Sequence, residues 1–173
     1  MTAAASLGRT AQSRMPGALR HTLQHMLRTG ALVSPRAEIE AGEPLGLGRK
    51  TNISAFTLIS TARGPVAIGE RTDVGTGCCI LGHPGGIQIG DDCLISPNVV
   101  IGGALHAALE TTSADSATTR IGNNVWIGSG AVVLPGAEIA DGVIIAPNSV
   151  VSGSVGPNAI VQGNPGKVIF TRR

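Results

Sequence analysis

The chain has 173 residues, about one domain's worth, and its 42% hydrophobic against 14% charged residues exclude a disordered polypeptide. Aromatic residues make up only 2% and glycine occurs 25 times, so the core must be built from small and β-branched side chains. A net charge of +2, without aromatic residues beside the basic ones, argues against nucleic-acid binding.

The cysteines and the N-terminus indicate the compartment. Three cysteines without CxxC spacing exclude a disulfide framework and a zinc knuckle, and they favour a reducing environment. The opening stretch MTAAASLGRTAQSRM lacks the apolar run of a signal peptide, and no stretch reaches the roughly 18 apolar residues of a membrane span. We therefore expect a cytoplasmic protein with no membrane span.

The first element expected along the chain is a short helix. The stretch PGALRHTLQHMLRTG begins at Pro16, ends at Gly30 and is amphipathic. We expect residues 1–30 to form a disordered tail followed by this helix, which caps the end of the fold behind it. His21 and His25 lie four apart on the helix but have no third ligand nearby, which favours a solvated face over a metal site.

Residues 31–156 follow a six-residue period. Aliphatic residues recur at Ile121, Ile127 and Val133 and onward to Val151, a spacing that fits neither a helix nor a simple strand. A hexapeptide period is typical of the parallel β-helix, in which each hexad is one short strand and a corner. The predicted hexad starts form five coils of three: Leu47, Ile53, Ile59; Ile68, Val74, Ile80; Ile89, Ile95, Ile101; Ile121, Ile127, Val133; Ile139, Ile145, Val151.

A second regularity supports this register. Val33 and Ile39 look like a partial starter coil, and a small or β-branched residue lies four positions after most starts. Cys78 and Cys93 occupy that position, so we interpret them as core fillers that behave as small hydrophobes. The period is lost over residues 157–173, for which we expect an irregular segment that folds back.

Extra residues interrupt the period at one corner. Ile121 to Ile139 is the ideal 18 residues, whereas Leu47 to Ile68 and Ile68 to Ile89 are each 21, and Ile89 to Ile121 is 32. All three insertions, the longest being the loop 102–120, leave from the same corner of the coil. Because neighbouring parallel strands lie about 4.8 Å apart, we expect these insertions to stack along one edge.

Two histidines lie in these insertions. His83 is in ILGHPGGIQIG and His106 is in IGGALHAALETTSADSATTRIG. Glycine, asparagine and proline turn such corners with less strain, so two histidines on one edge suggest a site. A neutral imidazole is the usual general base near neutral pH. The alternative is that both are exposed loop residues without a role.

The hexad pattern, together with IGNNVWIGSGAVVLPG and NAIVQGNPGKVI, resembles the hexapeptide-repeat acyltransferases over residues 31–170. The resemblance implies an all-β fold, a left-handed parallel β-helix, assembled as a homotrimer that transfers an acetyl group from acetyl-CoA without a metal. ISPNVVIGGALH is similar to the sugar and polysaccharide O-acetyltransferases, in which its final histidine, here His106, is the catalytic base. ILGHPGGIQIG is similar to a serine acetyltransferase segment with a catalytic histidine, here His83.

Further site residues follow from the same resemblance. Thr76 stands where galactoside-type enzymes have an acceptor-binding asparagine, and Ala107 replaces the acidic or proline residue after the base. Trp126 resembles the family's tryptophan beside the active site, although packing alone also explains it. The expected cofactor contacts are Ser129, Pro147, Ser152, Gly153 and Lys167, the last as a cation for the nucleotide phosphates.

These features favour an O-acetyltransferase that acts on a hydroxyl of a sugar or a cell-surface polysaccharide precursor. Four alternatives stay open: a serine acetyltransferase-like enzyme, a non-catalytic β-helix scaffold, a zinc carbonic anhydrase and a lipid acyltransferase. A carbonic anhydrase needs three coil histidines, whereas this chain has two. A scaffold has no use for a long insertion with a histidine, and lipid acyltransferases usually append a helical C-terminal domain.

Overall fold

The computed structural model describes residues 30–103 and 117–173. The predicted tail and helix fall on residues 1–29, outside the described part of the chain. The described residues form these strands: β1 Leu32–Val33, β2 Glu38–Glu40, β3 Leu45–Leu47, β4 Asn52–Ile53, β5 Leu58–Ser60, β6 Val66–Ile68, β7 Asp73–Val74, β8 Cys79–Leu81, β9 Ile87–Ile89, β10 Leu94–Ile95, β11 Val100–Gly102, β12 Thr119–Ile121, β13 Trp126–Ile127, β14 Val132–Val133, β15 Glu138–Ile139, β16 Ile144–Ile145, β17 Val150–Val151, β18 Ser154–Val155, β19 Ala159–Gln162 and β20 Lys167–Thr171.

Three sheets wrap one core, and their strand pairs are parallel except for β19 with β20. Sheet A has the order β1-β4-β7-β10-β13-β16-β19-β20, sheet B the order β17-β14-β11-β8-β5-β2 and sheet C the order β18-β15-β12-β9-β6-β3. Every third strand therefore returns to the same sheet, one coil further along. The hexapeptide period thus forms the predicted parallel β-solenoid.

The predicted register is confirmed along its whole length. The fifteen hexad starts lie on β3 to β17, and each is at most 5% exposed. They pair across the coils as expected, with Ile89 beside Ile121 and Ile101 beside Val133. Each such Val or Ile contributes about 1.5–3 kcal/mol by leaving water. The starter coil is confirmed as well, since β1 and β2 hold Val33 and Ile39.

At the corners, the residue before the small buried residue has a left-handed backbone conformation, with a positive φ angle. Asn98, Asn124 and Asn148 have φ values of 60°, 53° and 57°, a region that asparagine tolerates better than most residues. Each is followed by a buried residue, such as Val99 or Val125. The small residue that follows therefore turns inward and fills the corner of the core.

The two buried cysteines are more than apolar fillers. Thr57 and Thr72 occupy equivalent corners and donate their hydroxyls to the Gly75 and Gly90 carbonyls of the next coil, both at 2.8 Å. Cys78 and Cys93 occupy the same position, and their thiols approach carbonyls of the next coil at 3.2 and 3.1 Å. Burial is the main cause that raises the pKa of both thiols. They are therefore protonated donors that couple successive coils.

The C-terminal segment differs from its prediction. Residues 157–173 were expected to be irregular, but β19 continues sheet A and β20 pairs with it antiparallel. The hexad period disappears because the chain reverses over residues 163–166 instead of making another coil. All five residues of β20 are exposed, so this strand has no inward row for a sequence pattern to reveal.

Candidate functional site

The first two insertions stack as predicted, along the corner between sheets B and C. We call this corner the B–C edge; its described residues are 61–65 after β5, 82–86 after β8 and 134–137 after β14, and the third insertion leaves from it after β11. A Cβ atom built on Gly64 would lie 1.8 Å from the His83 carbonyl oxygen, so the first two insertions are in direct backbone contact. The Gly82 N–H donates to the Ser60 carbonyl at 2.8 Å, which fixes the start of the second insertion on the first.

His83 lies inside this stack rather than on its surface. Its side chain is 4% exposed, and its Nε2 atom is 2.8 Å from Thr119 Oγ1. The Gly136 N–H donates to the same Thr119 oxygen at 2.9 Å. A chain of hydrogen-bonding groups therefore connects three successive coils along the B–C edge, and Thr119, which the sequence did not single out, is its centre.

The segment that contains His106 begins and ends within this edge. Residues 104–116, which include His106, lie outside the described part of the chain. The flanking strands place its departure at Gly102 and its return at Thr119, beside His83. The Thr119 N–H donates to the Gly86 carbonyl at 3.0 Å, so the return point is fixed on the second insertion.

Three other predicted residues form a column on a different corner. Thr76, Ser129 and Pro147 are exposed and occupy the equivalent position after their sheet A strands, on the corner between sheets A and B. We call this column the A–B edge. Trp126 stands nearby on the outer face of sheet A, 45% exposed, and its Nε1–H donates to Ser96 Oγ at 3.1 Å.

The remaining predicted contacts lie near the C-terminal end. Ser152 and Gly153 are exposed on the turn between β17 and β18, and Lys167 begins β20 with its side chain exposed. The turn that holds Ser152 and Gly153 joins sheet B to sheet C, so it continues the B–C edge three coils beyond the His83 loop, about 14 Å away at about 4.8 Å a coil. The width of sheet B separates His83 from the A–B edge, and a three-residue strand alone spans about 10 Å.

The main charge cluster of the described part lies on the third corner, away from both edges. Arg71 binds Asp92 at 2.6 Å and Glu70 at 3.2 Å, and Arg49 binds Glu70 at 3.1 Å. The hydrogen bond from Arg71 is the main cause that lowers the pKa of Asp92. Because these groups are mutually compensated and exposed, they are a surface network rather than a reactive centre.

Two hollows lie on the surface of the solenoid. A groove of about 580 Å³ runs along sheet C beside Gln88, Arg120 and Glu138, where Arg120 and Glu138 form a 3.1 Å ion pair. A smaller hollow of about 320 Å³ adjoins the insertions and is lined by residues such as Pro65 and Gly86. The second hollow borders the His83 loop through Gly85 and Gly86.

The described residues, 30–103 and 117–173, contain neither a metal-binding cluster nor a membrane-spanning helix. No group of three or more His, Cys, Asp or Glu side chains is arranged there to hold a metal ion. Those same ranges contain no helix with the length and hydrophobicity to cross a membrane.

Family models and curated relatives show what this chain is similar to. The model described as bacterial transferase hexapeptide (six repeats) matches residues 118–153, and that described as hexapeptide repeat of succinyl-transferase matches residues 65–102. Galactoside O-acetyltransferase of Escherichia coli is 41% identical over 87 residues, covering 48% of this chain and 43% of the relative. These two ranges are therefore hexapeptide repeats of the transferase type, and about half of the chain is similar to an acetyltransferase.

A further relative and a solved structure show the extent of the similarity. A putative lipopolysaccharide biosynthesis O-acetyl transferase of Escherichia coli is 34% identical over 104 residues, covering 60% of this chain and 49% of the relative. This chain therefore spans about half the length of the curated relatives it matches. A structure of AntD, an N-acyltransferase from Bacillus cereus in complex with dTDP and coenzyme A, has a TM-score of 0.71 at 20% identity and covers 89% of this chain and 90% of AntD. That likeness shows the shared fold.

Proposed function

We propose that this protein transfers an acetyl group from acetyl-CoA to a hydroxyl of a sugar or a cell-surface polysaccharide precursor. The observation that carries the proposal is the B–C edge, where the His106 segment returns at Thr119, 2.8 Å from His83. The two histidine-bearing insertions thus share one edge, which supports an imidazole base at this place. The names of the relatives support acyl transfer, since O-acetyl transfer and coenzyme A appear among them.

The reaction is a direct transfer in a ternary complex. His106 takes the proton of the acceptor hydroxyl, and the acceptor oxygen attacks the thioester carbonyl carbon. A backbone N–H of the adjacent coil stabilises the developing oxyanion, a contribution of about 3 kcal/mol where one such donor has been removed from other enzymes. The carbon–sulfur bond then breaks, and the imidazolium returns its proton to the CoA thiolate. The chemistry needs no metal ion.

The positions of the expected cofactor contacts support a homotrimer, and the left-handed coil is what the resemblance to the hexapeptide-repeat acyltransferases implies. Thr76, Ser129 and Pro147 are on the A–B edge, whereas His83 is on the B–C edge, so one chain does not bring them together. A neighbouring protomer that presents its A–B edge to this chain's B–C edge would complete the site. Acetyl-CoA would then lie in the groove between two protomers. There Trp126 would flank the acceptor, and Ser152, Gly153 and Lys167 would border the nucleotide.

Our choice of a modified sugar as the acceptor rests on the low polarity of the hollow beside the insertions. The hollow beside the insertions is lined by proline, glycine and aliphatic residues, which suits the apolar face of a deoxy- or otherwise modified sugar. Thr76 is also shorter than the asparagine of galactoside-type enzymes. We therefore favour a modified sugar of a surface polysaccharide over a simple galactoside, and its cytoplasmic precursor as the substrate.

The test is acceptor-dependent thiol release from acetyl-CoA by the wild type, His106→Ala and His83→Ala. The acceptor panel contains sugars, nucleotide-sugars, amino-sugars and serine. We expect sugar-dependent release that His106→Ala lowers by about 100- to 10,000-fold, the usual contribution of a general base. Release with serine alone supports the serine acetyltransferase alternative. A folded protein that neither binds CoA nor releases thiol with any acceptor supports the scaffold alternative and overturns the proposal.

A further inference from the structure

The last strand of sheet A leaves an apolar edge at one end of the solenoid. β20 pairs with β19 only, so its outer edge has no strand beside it within residues 30–103 and 117–173. Val168, Ile169 and Phe170 follow one another on this strand, and each is more than half exposed. A contiguous exposed apolar surface with polar residues around it is typical of an interaction site.

The three side chains leave the strand in different directions. Phe170 pairs with Ile160 and lies on the outer face of sheet A, whereas Val168 pairs with the buried Val161 and lies over the end of the core. The register shifts between Ile160 and Val161, so Ile169 is the extra residue of a β-bulge and has no partner on β19. The apolar surface therefore wraps around the end of the solenoid instead of belonging to one sheet face.

The charges of this region match an anionic partner. Residues 142–173 contain Lys167, Arg172 and Arg173 but no Asp or Glu, whereas the rest of the chain has 10 basic (13 − 3) and 11 acidic residues. None of the ion pairs of the described residues includes these three cations. Arg172 donates to the Gly142 carbonyl, which leaves its charge uncompensated. Cations therefore border the apolar triplet at both of its ends.

We propose that the β20 surface, residues 167–173, binds an anionic lipid surface at the level of the headgroups. The inference goes beyond the proposed function and does not depend on it. A bilayer interface presents negative headgroups above apolar chains, and this surface matches both properties. Strand addition from a second copy fits less well, because the bulge interrupts the ladder and self-pairing centred on Ile169 would bring Lys167 of one copy close to Arg172 of the other.

Backbone chemistry limits the depth of this binding. The open edge of β20 presents N–H and C=O groups that would lack partners inside the hydrocarbon, so the strand stays among the headgroups and only its side chains reach the acyl chains. One such surface gives weak, reversible binding. In the proposed homotrimer, protomers packed side by side under cyclic symmetry turn three such ends to the same side, and avidity then strengthens the binding.

The test is co-sedimentation of the full-length protein with vesicles of phosphatidylcholine, alone or mixed in equal parts with phosphatidylglycerol. We expect binding to the anionic vesicles and little to the neutral ones, and weaker binding at high salt because exposed charges are screened. Phe170→Ser and Ile169→Ser should each weaken binding by roughly 10-fold. Arg173→Gln should weaken it by about five-fold. Lys167 stays unchanged, since it is also an expected acetyl-CoA contact.

Matched control variants remove the same groups elsewhere. Phe56→Ser removes an exposed phenylalanine from an early coil, and Lys50→Gln removes an exposed cation there. Both should bind the anionic vesicles as the wild type does. Because Ile169 has no partner on β19, Ile169→Ser should keep the wild-type Tm in circular-dichroism melts, so its loss of binding is not caused by unfolding.

Three results would overturn the inference. The first is a wild type that does not bind the anionic vesicles, and the second is wild-type binding by the variants at residues 169, 170 and 173. The third is a change in the molar mass of Phe170→Ser or Ile169→Ser in vesicle-free solution, which would assign this surface to a contact between copies. None of these measurements uses an acyl acceptor, so inactivity with every acceptor refutes the proposed function alone.

Discussion

Gly64→Ala tests directly whether the insertions stack. The added Cβ would lie 1.8 Å from the His83 carbonyl oxygen and 2.4 Å from its carbonyl carbon. Ordinary contact begins at 3.4 Å, so the two loops must separate by about 1.6 Å (3.4 − 1.8). The contacted atoms are backbone, which cannot rotate away as a flexible side chain would. We expect the His83 loop to move by about that distance.

Two effects of different size follow from this displacement. Overpacking costs about 1–3 kcal/mol, and for a chain of this size each kcal/mol lowers Tm by about 2–4 °C. Under the proposed function kcat falls as well, by up to about 100-fold, because His83, one of the two histidines assigned to the site, is displaced. The protein therefore remains folded at assay temperature while it loses most of its thiol-release activity.

The matched control is Gly156→Ala, directly after β18 and outside the hollow beside the insertions. Its added Cβ would meet no atom within 4 Å. Thermal melts by circular dichroism and steady-state thiol release are compared for both variants and the wild type. If Gly64→Ala matches Gly156→Ala in both Tm and kcat, the first two insertions do not contact each other as described, and the reasoning is wrong.

Three further predictions concern the solenoid itself. Thr72→Val removes a hydroxyl that donates to the Gly90 carbonyl and also accepts the buried Cys93 N–H. The Cys93 N–H then lacks this acceptor, which costs about 1–3 kcal/mol beyond the lost donor bond. Urea unfolding should therefore show that the Thr72→Val protein is less stable than the Thr57→Val protein, which loses a donor bond alone. Arg71 lowers the pKa of Asp92, so their pair stabilises the fold at neutral pH and loses this effect as pH falls through that lowered pKa. The difference in urea midpoint between wild type and Arg71→Met should be small, and it should vanish at low pH or high salt; a difference that persists in acid would contradict this assignment. Burial raises the pKa of the Cys78 and Cys93 thiols, whereas Cys79 is only half-buried. Mass spectrometry after brief alkylation should therefore find Cys79 modified first. Equal labelling of all three cysteines would refute the burial pattern.

The coil register could be predicted because one physical demand repeats. Each strand from β3 to β17 turns the aliphatic side chain of its hexad start inward, so the demand for such a residue returns with every strand. The fifteen hexad starts are therefore visible in the sequence, as is the corner from which the insertions leave. Pairing of Ile89 with Ile121 across 32 residues shows that the inward row, rather than chain length, determines the register.

The site was less visible because its geometry depends on groups that have no period. Thr119 lies two residues before a hexad start, and nothing in its neighbours indicates that its hydroxyl meets His83. The sequence also placed Ser129 and His83 in one site, whereas the fold assigns them to different edges of one chain. The thiols of Cys78 and Cys93 were interpreted by size alone, although both also approach carbonyls of the next coil.

The three-sheet solenoid gives every residue a position defined by two whole numbers. One number is the face or corner of the triangular cross-section, and each hexad of the repeat advances it by one. The other is the level along the axis, and a complete circuit raises it by about 4.8 Å, however many residues the circuit contains. Lengthening an insertion on the B–C edge therefore changes neither number for the residues beyond it. Acceptor-binding loops of quite different length can be exchanged at that edge while His83, Thr119 and Gly136 keep their levels.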